Sequence, residues 1–391
     1  MANRNRCCAP LWTRGMGAWC WTMAACCSAF AVAAEFPVTT IDLTNDTARQ
    51  IVVDREDGQY LGHPTTVLLE DNQTMLCVYP KGHGRGAIVY KRSTDAGLTW
   101  SDRLPTPASW ATSREVPTLH RVIDAQGKKR IIMCSGWSRV RMAVTTDDGQ
   151  NWSELEPVGD WGGIVTMGCV FPLNTGAGHY MALFHDDGRF FTSPPQRTNP
   201  PTMTLYKTVS MDGGLTWQFP TEIFCSSDIH VCEPGVIRSP DGKQLAVLLR
   251  ENARRQNSQI IFSDDEGATW TKPRALPVTL NGDRHTGKYA SDRRLMISFR
   301  SRSPRGKTGP FETDWVAWVG TYQDLASGKP GQYHVRLKEN HKGYDCAYPG
   351  VEILPDDTFV LTTYGHWTAG EAPYILSVRV KLSELDAAAA D

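Results

Sequence analysis

Four stretches of the chain combine residue types that can do chemistry. In CEPGVIRSPDGKQLAVLLREN (232–252), Glu233 and Arg250 stand seventeen residues apart, far enough for a hairpin to bring both to one rim. RRLMISFRSRSPR (293–305) repeats the strand-then-arginine design and offers Arg300, Arg302 and Arg305, while CAYPGVEILPDDTFVLTTY (346–364) sets Tyr348 ahead of an apolar strand, a turn and another strand. PKGHGRGAIVYKR (80–92) carries Lys81, His83 and Arg85 in a glycine-rich loop. Carboxylates close to other strand ends are Asp186 and Asp187 in ALFHDDGRFF (182–191) and Glu115 in SREVP (113–117). A planar guanidinium holds a carboxylate through two hydrogen bonds, and a histidine donates protons near neutral pH. Tyrosine, with a pKa near 10, attacks only when a base and nearby cations favour its phenolate. Each residue also has a plainer use: a buried strand tyrosine, a solvated glutamate, a surface arginine or a solvent loop.

The elements that must position these residues follow from an internal repeat. STDAGLTW (93–100) returns as TTDDGQNW (145–152), SMDGGLTW (210–217) and SDDEGATW (263–270), against a chance rate on the order of one match per 10⁵ positions. Asp95, Asp147, Asp212 and Asp265 can accept hydrogen bonds from the amides that follow them. Gly97, Gly149, Gly214 and Gly267 suit the positive φ of a tight hairpin, and the tryptophan is expected to open the next strand. Strand-like runs precede each box, and helical periodicity is confined to KLSELDAAAA at the C-terminus. Box spacings of 52, 65 and 53 residues suit four-stranded blades. Units without a box fit around 283–322 and 348–382, and residues 36–54 can supply the strand that closes the ring. The fold expected is all-β, a six-bladed β-propeller whose inner strands carry the site. GDRHTGKY (282–289) would then put Asp283, Arg284 and His285 near the channel mouth.

The boxes resemble the Asp-box, or BNR, repeats of the sialidase (neuraminidase) superfamily, which also occur in unrelated propellers and lectin-like proteins. The 346–364 stretch is similar to the segment that places the sialidase nucleophile, here Tyr348, although Pro349 and Gly350 replace small hydroxyl residues. The 232–252 stretch is similar to the blade whose glutamate and arginine are Glu233 and Arg250. The resemblance implies Glu233 as the base for Tyr348, and Arg250 with Arg300, or Arg305 if the loop is longer, as ligands of the substrate carboxylate. A tyrosine suits a sugar whose anomeric carbon carries a carboxylate, since that charge would repel an acidic nucleophile.

The resemblance breaks in the first blade. Where sialidases carry an arginine, this chain reads Gly62-His63-Pro64, and 80–92 lacks the acid/base aspartate. One outcome is a rebuilt cationic site from His63, Lys81, His83 and Arg85, with His83 as the acid ahead of Asp186; Glu115 is a further carboxylate. The other is a protein that only binds. The expectation is therefore an exported, retaining exo-α-sialidase-like hydrolase that releases sialic acid or a related acidic sugar from glycans. The alternatives are a non-catalytic acidic-glycan-binding propeller and a propeller hydrolase for another acidic sugar. The expected partners are acidic glycans, with the protein acting as a monomer, and the chemistry requires no metal or cofactor.

Composition narrows the remaining classes. Arg4, Arg6 and Arg14 precede an apolar run from about Met16 to Ala33, and Ala31-Val32-Ala33 fits a cleavage site, so residues 1–33 read as an export signal and 34–391 as one propeller domain. A lipid anchor at Cys26 fits less well, and the run is too short for a membrane span. Without that leader, 41 basic residues fall to 38 against 42 acidic ones, which argues against nucleic acid as a partner. Cys77, Cys134 and Cys169 lie in apolar runs typical of buried free thiols. Only Cys225 and Cys232 are close enough in sequence to suggest a bridge.

Overall fold

A computed structural model describes residues 36–191 and 202–390; the export-signal reading of residues 1–33 falls outside them. Six sheets follow one another along the chain, and each innermost strand touches the next round to the last. Those inner strands are Thr65–Leu68, Pro117–Ile123, Ile164–Pro172, Val231–Arg238, Gly282–Tyr289 and Gly350–Ile353, which define blades 1 to 6. The second strands are almost wholly buried, Met75–Pro80 and Phe359–Gly365 at every residue, because blades stack on both of their faces. Val67, Val78 and Tyr90 of blade 1, for example, pack with Leu119, Ile131 and Met133 of blade 2.

Ring closure divides the N-terminal segment between two blades. Gln50–Asp54 pairs antiparallel with Tyr374–Val380 and completes blade 6, whereas Thr39–Asp42 pairs parallel with Tyr333–Lys338 as a fifth strand of blade 5. Blade 5 thus runs on to Lys338, past the boundary expected at 322. Blade 1 has three strands among the described residues. The box tryptophans precede the outer strands rather than open them: Trp152 lies four residues before Glu156–Pro157, and Trp270 four before Arg274–Ala275.

The boxes are hairpin turns closed by their own side chains. In the first, Asp95 Oδ1 accepts from the Thr99 amide at 2.9 Å and from the Ser93 hydroxyl at 2.7 Å, and Gly97 N donates to Ser93 Oγ at 2.9 Å. The other three repeat this pattern. Gly97 takes φ 81°, and Ala96 before it takes φ 56°, so the turn uses two successive left-handed residues. The expected C-terminal helix spans Leu382–Ala390. A second helix, Tyr322–Ser327, has a capping box between Thr321 and Asp324 and a left-handed Gly328 at its end, local signals that periodicity alone misses.

At the mouth of the ring the chain enters several inner strands through left-handed backbone. His63, Val165, Glu233, Arg284 and Ala347 have φ between 48° and 56°, a region that costs a non-glycine residue roughly 1–2 kcal/mol. The pairing register shifts between Ile164 and Cys169, Cys232 and Gly235, and Asp283 and Thr286. Such bulges re-aim side chains at a rim.

Candidate active site

The mouth holds a cavity of about 970 Å³. Its lining joins Tyr348 of blade 6 and Glu233 of blade 4 to His63, His83, Glu115 and Trp137 from blades 1 and 2. The Tyr348 hydroxyl donates to Glu233 Oε1. Arg250 Nη1 donates to the same oxygen at 2.6 Å and lies 3.5 Å from the Tyr348 hydroxyl. Three residues up to 115 positions apart in sequence thus meet at one oxygen. Burial and the Glu233 charge push the Tyr348 phenol well above its ordinary value, against the opposing pull of Arg250 and Arg300. Burial alone would raise the Glu233 carboxyl, but the Arg250 charge and the tyrosine hydrogen bond hold it below the usual range. The resting pair is therefore a neutral phenol hydrogen-bonded to a carboxylate, the arrangement that both shifts favour.

Behind this pair lies a buried ion cluster. Arg300 donates Nε and Nη2 to Asp283 Oδ2 at 2.9 and 2.5 Å, and its Nη1 to the carbonyls of Tyr344 and Cys346. Arg254 grips both Asp283 oxygens, at 2.6 and 2.8 Å, while Arg250 Nε lies 3.5 Å away. Asp283 is fully buried; burial opposes its charge, but the three arginines hold its carboxyl far below the usual range. The Arg300 guanidinium carbon sits 5.8 Å from the Tyr348 ring centre. Neither Arg250 nor Arg300 lines the cavity.

Blade 1 contributes an aromatic wall. The His63 ring lies 4.6 Å from Tyr348 and stacks at 4.5 Å on Tyr364, with His83 4.7 Å away. Burial, then the neighbouring His83, pushes His63 well below its ordinary pKa, so it is a neutral ring and not the cation expected to replace the missing arginine. His83 is two-thirds exposed. Its Nδ1 is 2.7 Å from the Tyr60 hydroxyl and 3.3 Å from Asp345, and Asp345 also meets Tyr60 and His366.

Glu115 sits at the head of blade 2, only 5% exposed, accepting the Val116 amide at 3.0 Å. Burial lifts its carboxyl to about 7. It lines the cavity, and a carboxyl with that pKa keeps a substantial protonated fraction near neutral pH, which general-acid catalysis needs. Asp186 does not line the cavity: its Oδ2 caps a turn, accepting the amides of Gly188 and Phe190. Arg305 is an exposed loop residue outside the lining, tied by its backbone amide to the Arg254 carbonyl. Arg284 and His285 are buried rather than solvated; Arg284 ties the carbonyls of Gly168 and Pro234 across blades 3 and 4.

Several participants carry weak sequence signals. Arg254 follows Arg250 by four residues and Asp345 precedes Tyr348 by three, but nothing local marks either. Trp137, at φ 99°, presents its ring to the Arg189 guanidinium at 4.5 Å and lines the cavity. All six cysteines among the described residues are free, including Cys225 and Cys232. Among these residues there is no group of three or more metal-ligating side chains and no helix long and apolar enough to cross a membrane.

A BNR repeat-like domain model matches residues 133–293. The fold is the sialidase-type β-propeller. A protein of unknown function from Dyadobacter fermentans superposes with a TM-score of 0.64 at 14% identity, over 85% of this chain and 97% of that one. The intramolecular trans-sialidase of Ruminococcus gnavus, in complex with oseltamivir carboxylate, gives 0.54 at 13% identity, over 83% and 95%. A leech intramolecular trans-sialidase complexed with 2,7-anhydro-Neu5Ac gives 0.57 at 13% identity, over 84% and 69%. No curated protein matches the propeller by sequence.

Proposed function

We propose that the propeller is a retaining glycoside hydrolase that removes a terminal acidic sugar from glycans, with Tyr348 as nucleophile. The observation that carries this reading is the shared Glu233 oxygen, which accepts from both the Tyr348 hydroxyl and Arg250. Glu233 takes the phenolic proton as Tyr348 Oη attacks the anomeric carbon. Arg250 and Arg300 favour the phenolate that forms. Glu115 gives its proton to the departing glycosidic oxygen. The resulting Glu115 carboxylate then takes a proton from water, which attacks the same carbon; Tyr348 leaves and recovers its proton from Glu233. His83, held at Nδ1 by Tyr60 and Asp345, is the second candidate for the acid.

The test is hydrolysis of aryl glycosides of acidic sugars, sialic acid among them. Tyr348→Phe should lower turnover by about 10³-fold or more, and a slow substrate should add one glycosyl mass to Tyr348 in the parent. Parent-level rates in Tyr348→Phe would refute the assignment. A binding-only reading draws on the lack of any carboxylate in 80–92; affinity for acidic sugars without product at any pH from 4 to 8 would favour it.

A further inference from the structure

Counting guanidinium donors bears on how an acidic substrate is held, an inference that rests on the acidic-sugar reading above. Every nitrogen of Arg300 is spent on Asp283 or on the carbonyls of Tyr344 and Cys346. Both terminal nitrogens of Arg254 face Asp283. Arg250 spends Nη1 on Glu233 and turns Nε toward Asp283. A bidentate clamp on a ligand carboxylate needs two parallel N–H groups; Arg250 Nε makes no hydrogen bond, and Arg250 Nη2 and Arg254 Nε have no assigned partner, but none of these three residues lines the cavity. Breaking such a buried cluster to admit a ligand would leave Asp283 charged and unpaired, which is costly.

The cavity wall offers different cations. Arg85, in the glycine-rich loop of blade 1, and Arg114, beside Glu115, both line the cavity and are exposed. Neither side chain has a hydrogen bond or ion pair among the described residues. Lys81, the third cation of the lining, is tied to Glu56 at 3.0 Å. We propose that Asp283 is an internal counter-ion that withholds Arg250, Arg254 and Arg300 from the substrate, and that Arg85 and Arg114 bind the sugar's acidic group at the cavity wall. The inner arginines then serve the nucleophile, and the wall arginines set specificity for an anionic sugar.

The test measures binding of free sialic acid, glucuronic acid and neutral glucose to the full chain by calorimetry. Arg85→Ala and Arg114→Ala should each weaken acid binding by about tenfold, the double variant should bind acid no better than glucose, and Arg85→Lys should recover part of the loss. Asp283→Asn should tighten acid binding by freeing the inner arginines. Should that variant fail to fold, the two exposed wall positions still decide the matter. Parent-like acid affinity in both wall variants, or a parent that binds glucose as well as the acids, overturns the inference. Acid binding through Arg85 and Arg114 without hydrolysis would sustain it while refuting the hydrolase reading.

Discussion

Glu115→Gln tests at once the burial of the carboxyl and its use as an acid. A carboxyl whose pKa moves from 4.5 to about 7 on folding makes ionisation in the native state cost roughly 3 kcal/mol more than in the unfolded chain. Because the folded value is the higher one, the native state binds the extra proton between these two pH values, and stability falls as pH rises from 4.5 through 7. The nearby charges are Arg189, which opposes the shift, and Glu233, which adds to it. Glutamine keeps the oxygen that accepts the Val116 amide and removes the titration. With an unfolding entropy of about 2.1 cal/mol/K per residue over a domain of roughly 355 residues, 3 kcal/mol corresponds to about 4 °C in Tm. The Tm of Glu115→Gln relative to the parent should therefore rise by about 4 °C between pH 4.5 and 8, read by scanning calorimetry across that range. In parallel, parent turnover should fall as pH rises through about 7, and the variant should lose that limb along with most of its rate on poor leaving groups. A Tm difference that stays level across the range would refute the buried, proton-holding carboxyl, and with it the acid role.

Two further outcomes concern the scaffold. Asp95→Ala removes the acceptor of the Thr99 amide and of two hydroxyls; it should lower stability in urea by about 1–3 kcal/mol and leave the rate of the folded protein unchanged, so lost turnover at full stability would contradict a purely structural box. Since the six described cysteines are free, a thiol reductant should not move the Tm, and a thiol reagent should label exposed Cys225 in the native protein well before buried Cys77, Cys134, Cys232 and Cys346; a reductant-sensitive Tm would reveal a disulfide.

The four boxes and the strands around them were legible in the amino-acid sequence, because their physics is local. Asp95, Ser93, Gly97 and Thr99 satisfy one another within seven residues, so any chain with those types at those spacings makes the same turn. The repeat then implies blades, and blades of that length imply a ring. Tyr348, Glu233 and Arg250 could be nominated because the stretches 232–252 and 346–364 resemble sialidase segments, and their plain strand patterns put them near the mouth.

What these residues do was decided elsewhere. Arg300 is spent on an aspartate seventeen positions away and on two carbonyls of the blade 5–6 connection, and no sequence pattern counts its donors. Asp186 and Glu115 read alike, as carboxylates at strand ends, yet the first closes its own turn and the second is buried at the cavity. His63 takes a rebuilt cation's place in sequence and is a neutral ring in the fold. Charge state, donor occupancy and access depend on desolvation and on partners from other blades. Hydrogen-bonded turns and strand periodicity are written within a few residues; an ionisable group's pKa and its free valences are properties of the closed ring.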